Sequence, residues 1–77
     1  EIETNVVDKL TVRASMTFSG AVKAELFDTS GNLVLRDNMT ISLSEPGILD
    51  LSGVDGGNYV LRLTCNNKTI TKNIIKL

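Results

Sequence analysis

A period of two runs through most of the chain. It is clearest where Leu10, Val12, Ala14, Met16 and Phe18 alternate with Thr11, Arg13, Ser15 and Thr17, the spacing of a strand with one face buried and one in water. The alternation returns in Val22, Ala24 and Leu26 against Lys23 and Glu25, and in Met39, Ile41 and Leu43 against Thr40 and Ser42. It returns once more in Tyr59, Leu61, Leu63 and Cys65 against Arg62 and Thr64. These segments predict strands near 2–7, 9–18, 21–28, 33–36, 38–44, 48–52, 58–66 and 68–76. A helical alternative exists for residues 21–27, where alanine, lysine, glutamate and leucine all favour helix, but the stretch is short and has no clear cap.

Turn residues fall between these runs: Ser19-Gly20, Asp28-Thr29-Ser30-Gly31-Asn32, Asp37-Asn38, Pro46-Gly47, Asp55-Gly56-Gly57-Asn58 and Asn66-Asn67. Gly31 is expected to supply a positive φ in a hairpin that returns Leu26 and Leu33 to a common core. Asn66-Asn67 is the second expected hairpin, because asparagine tolerates the left-handed region. Turns about every ten residues suit an antiparallel sandwich. The expected fold is therefore all-β, an immunoglobulin-like antiparallel β-sandwich of about seven strands, with residues 1–77 as one domain.

Composition narrows the function. A chain of 77 residues has one thin core, and its single cysteine cannot close an internal disulfide. The absence of histidine removes the commonest transition-metal ligand and the usual partner of a catalytic nucleophile. With 8 basic and 9 acidic residues scattered along the chain, there is no basic field for nucleic acid. No apolar run approaches the ~18 residues of a transmembrane segment. The chain opens at Glu1, and a removed leader is expected.

Each residue that could carry chemistry has a plainer reading. Cys65 shares the phase of Tyr59, Leu61 and Leu63, so it reads as a small apolar residue on a buried face. Glu25 with Asp28, or Asp50 with Asp55, are the nearest carboxylate pairs for glycoside hydrolysis, and they read as solvated surface charge. Asp55-Gly56-Gly57-Asn58 has too few acidic oxygens for a calcium loop. Asn38-Met39-Thr40 and Asn67-Lys68-Thr69 match the glycosylation acceptor triplet, a pattern that arises cheaply. Phe18, Phe27 and Tyr59 are the only aromatics, too few for a sugar-binding platform. The chain is expected to be no enzyme and to hold no cofactor or metal.

One stretch is more specific. Leu51-Ser52-Gly53-Val54-Asp55-Gly56-Gly57-Asn58-Tyr59-Val60-Leu61-Arg62-Leu63 leads to Lys72-Asn73-Ile74-Ile75-Lys76-Leu77, and it is preceded by Leu26-Phe27-Asp28-Thr29-Ser30-Gly31-Asn32-Leu33-Val34. Physically, Gly57 permits a sharp approach to the strand. Tyr59 can then bury its ring while its hydroxyl bonds back to the preceding corner. Residues 22–77 resemble the C-terminal sorting domains of the bacterial type IX secretion system. They also resemble small secreted immunoglobulin-like proteins of unknown function from Bacteroides-type bacteria, to which the fit is slightly closer.

The resemblance implies an extracytoplasmic place: periplasm, cell surface or medium. In sorting domains the last strand and its basic residues belong to the signal read by the export machinery, which Lys72 and Lys76 match. The plainer reading of the two lysines is an edge strand guarded against intermolecular pairing. Two functions are thus expected. The first is a secreted or surface module with a structural or protein-interaction role, docking a partner through an exposed edge strand. The alternative is a C-terminal sorting or anchoring domain for outer-membrane export.

Overall fold

A computed structural model describes the backbone of residues 5–6 and all of residues 8–77. Its strands are β1 (Asn5–Val6), β2 (Lys9–Val12), β3 (Gly20–Phe27), β4 (Leu33–Ile41), β5 (Gly47–Asp50), β6 (Gly57–Cys65) and β7 (Lys68–Lys76). They form a five-stranded sheet in the order β1-β7-β6-β3-β4 and a two-stranded sheet, β2-β5. The chain is all-β, and its two sheets face each other as a sandwich. Pairing is antiparallel except at β1, which runs parallel to β7 with Asn5 opposite Ile75 and Val6 opposite Lys76. Of the strand expected over 2–7, residues 2–4 and 7 lie outside the described residues.

The core lies between the sheets because the two-residue period holds best in the central strands. Val22, Ala24 and Leu26 of β3 stand in register with Cys65, Leu63 and Leu61 of β6, and all six are buried. Leu10 and Val12 of β2, Leu49 of β5, and Leu51 close over them from the smaller sheet, joined by Phe18, Ile41 and Ile74. Each such side chain contributes about 1.5–3 kcal/mol by leaving water. Residues 21–27 are strand, so the helical alternative fails: β4 pairs with all of them and β6 with residues 22–27.

Several expectations need correction. The strand expected over 9–18 stops at Val12. Beyond it Ser15 and Phe18 exchange backbone hydrogen bonds of 3.1 and 3.2 Å across a two-residue turn, which leaves Met16 at the tip, 90% exposed. Leu43 is displaced for the same reason, because Ser42 and Glu45 exchange bonds of 2.9 and 3.1 Å and Leu43 sits on that tip, 72% exposed. Alternation ran into both turns without marking them.

Asp37-Asn38 is not a turn. It lies inside β4, opposite Ala24 and Lys23, and an edge strand tolerates such residues because one side faces water. Nor does Leu33 join Leu26 in the core. A bulge pairs Leu26 with Leu35 but Phe27 with Leu33, which leaves Val34 as the extra residue and turns Leu33 to the outer face. The Asn66-Asn67 hairpin does form, with Asn66 at φ 57° and Cys65 opposite Lys68.

Candidate functional site

The sheet register gathers most of the singled-out residues at one end of the sandwich. Gly57 pairs with Lys76 and Tyr59 with Ile74, while Phe27, which opens the loop to Gly31, lies beside Val60. Lys72 lies further down β7, opposite Leu61.

At this end the loop Asp28–Asn32 is closed by its own carboxylate. Asp28 Oδ1 accepts the N–H groups of Ser30 and Asn32, each at 2.9 Å, and Gly31 N–H donates to the Asp28 carbonyl at 3.1 Å. Gly31 has φ 87°, a conformation that a side chain would strain. The donors, the Asn32 N–H foremost, hold the Asp28 carboxyl below its usual range despite partial burial. Across the end, Gly57 takes φ 151°, and two residues on the Tyr59 hydroxyl donates to the Asp55 carbonyl at 2.6 Å. That bond ties the corner to β6, and it leaves the Asp55 carbonyl already engaged.

The two lysines differ. Lys72 is exposed, although its register with Leu61 puts it on the core-facing side of β7. Lys76 is only 8% exposed, and its Nζ donates to the Leu77 carbonyl at 3.2 Å. The expectation of two free lysines on an edge strand therefore needs correcting at Lys76, where β1 pairs alongside.

Glu25 also departs from the solvated charge expected of it. It stands on the outer face yet is only 7% exposed, because Arg62 Nη2 and Nε donate to its Oε1 at 2.9 and 3.1 Å. Arg36 is its register neighbour on the other side, and the Arg62 guanidinium lies 5.0 Å from the Phe27 ring centroid. The Arg62 hydrogen bond above all holds the Glu25 carboxyl below its usual range, against partial burial. Sequence reasoning missed this pair. Its members lie 37 residues apart, and only the β3–β6 register brings them together.

Cys65 is buried, and its thiol donates to the Ser19 carbonyl at 3.1 Å. Asp50 Oδ1 accepts the Ser52 N–H at 2.9 Å, the main reason its carboxyl also lies low. Among the described residues no three acidic or cysteine side chains converge on a point that could hold a metal ion, and no helix is long and apolar enough to cross a membrane. An open groove of about 400 Å³ lies away from the motif end, on the outer face, lined by Lys23, Asn38, Thr40, Thr64 and Asn66 among others.

A sandwich closed by a tyrosine-tied corner, with a last strand bearing lysines, defines an all-β module of the kind that the sequence resembles. The chain belongs to the secretion system C-terminal sorting domain family, which matches residues 6–77. That span takes in six of the seven strands whole and the end of β1. No curated protein and no solved structure matched the chain.

Proposed function

We propose that this chain is the sorting domain of a type IX export cargo, a non-catalytic folded tag that acts outside the cytoplasm. The observation that carries the reading is the family match, which coincides with almost the whole sandwich. The matched unit thus has the length of a folded domain and not of a short linear signal. The match favours this role over the free-standing interaction module that the sequence first suggested.

The chemistry of the site agrees with a non-catalytic role. Glu25, Asp28 and Asp50 have their carboxylates engaged in structural bonds, and the Cys65 thiol is buried. Lys72, exposed on the last strand, is the side chain available to the export machinery, whereas Lys76 serves the fold.

The test is to fuse residues 1–77 behind a reporter carrying an inner-membrane leader, in a host with a working type IX system. The reporter is expected at the cell surface or in the medium, and in the periplasm when the system is inactivated. Periplasmic retention in the competent host, with the domain folded, would overturn the assignment.

A further inference from the structure

The five-stranded sheet ends in β4, and among the described residues no strand pairs with its outer edge. Such an edge presents backbone donors and acceptors that can take up another extended chain. The core-facing positions of β4 run Leu35, Asp37, Met39 and Ile41, opposite Leu26, Ala24, Val22 and Gly20. One charge interrupts an apolar row. The Asp37 side chain is exposed, and its Oδ1 accepts the Asn38 N–H at 2.9 Å. The carboxylate therefore stands at mid-edge and also occupies a backbone donor there.

A second copy docking antiparallel about a two-fold axis at Asp37 would set Leu35 against Met39 and Arg36 against Asn38. Both pairs are compatible. At the centre, however, two Asp37 carboxylates would meet, with Cβ atoms about 4.5–5.5 Å apart, and like charges placed so are destabilising. Moving the centre to Arg36 sets two guanidinium groups opposite each other. Moving it to Asn38 sets Asp37 against Met39. Each of these three central registers sets a charge of β4 against a like charge or an apolar side chain.

We propose that the β4 edge is a strand-docking surface for an extended protein segment that carries a lysine or arginine opposite Asp37, with aliphatic residues two positions to either side, and that Asp37 closes the same edge to a second copy. A basic side chain draws the carboxylate to itself and frees the Asn38 N–H for the new ladder. The bulge at Val34 twists the near end of the strand, so docking is confined to residues 35–41. The inference rests on the edge alone and holds with or without a role in export.

The chain itself serves as the probe. The Asp37→Lys variant supplies a strand identical to β4 but with a base at its centre, and circular dichroism checks that it folds. Light scattering is expected to find each protein monomeric alone and a heterodimer in the equimolar mixture. Amide exchange in the mixture should slow over residues 35–41 and stay unchanged in β7, and added salt should weaken the complex. The proposal is overturned by a β4-paired dimer of the unaltered chain, by no complex in the mixture, or by protection elsewhere. An Asp37→Val variant keeps the test decisive if the lysine variant does not fold. It is expected to dimerise through residues 35–41, and a monomer would show that the charge does not close the edge.

Discussion

In β3 and β6 the core-phase residues, Val22 to Leu26 and Leu61 to Cys65, are closed off from water. In β4 the same phase passes through half-covered Leu35, exposed Asp37 and half-covered Met39 before reaching buried Ile41. The difference comes from the lid. Two strands cover roughly 10 Å of width and five cover roughly 24 Å, so β2-β5 cannot roof the whole of the large sheet: β5 reaches the far end of β4, where Gly47 lies against Met39 and Ile41, and Leu35 and Asp37 are left short of it. Lys72 on β7 makes the same point on the other side, facing inward by register and water in fact. Phase tells which way a side chain points, and the partner layer decides whether anything meets it there.

The largest way to test this contrast is truncation at matched phase. Leu61→Ala, in the roofed centre, is expected to cost about 2–5 kcal/mol through lost burial and a residual cavity. Leu35→Ala, at the open flank, should cost about 1 kcal/mol, as befits a half-covered side chain. Urea denaturation of both variants measures the gap, and equal losses would mean that the flank is roofed after all.

A smaller effect separates the corner from the strands it joins. Gly57→Ala forces a side chain into φ 151°, at about 1–3 kcal/mol. Tyr59→Phe deletes only the bond to the Asp55 carbonyl, at about 1 kcal/mol. Thermal unfolding should rank the two in that order. A silent Tyr59→Phe would make the ring, and not the hydroxyl, what holds the corner.

The mildest probe contrasts the charged outer face with the apolar inner one. The Glu25, Asp28 and Asp50 carboxyls all lie below their usual range in the folded chain, so in acid the unfolded chain binds more protons than the folded one. The stability they add is complete above about pH 5 and is lost as pH falls through the lowered folded values. Denaturation from pH 7 to pH 2 should show that decline, and Glu25→Gln should make it shallower. A flat profile would mean that these bonds add nothing.

The alternation in Val22–Leu26 and Leu61–Cys65 was enough to place the central strands, because a strand buried on one face must repeat every two residues. The same rule overran the chain at Met16 and Leu43, where a two-residue turn continues the alternation to its tip. Asp37-Asn38 misled in the opposite sense, since turn-forming residues also suit an edge strand with one side in water. At the motif end, Gly31, Gly57 and Tyr59 were legible because positive φ and a hydroxyl that must reach back to the corner demand particular residue types. The pairing of β1 beside Lys76 was not, since it brings together the two ends of the chain.

The sequence by itself determined that the protein is all-β, where its central strands lie, and the family to which it belongs, because these follow from local periodicity and motif. Only the tertiary structure decided that Glu25 meets Arg62, that Leu33 turns outward, and that β4, with Asp37 in its middle, stands at the edge of the sheet among the described residues. Those outcomes depend on strand order, register and the width of the covering sheet, which are relations between distant segments that no local pattern encodes.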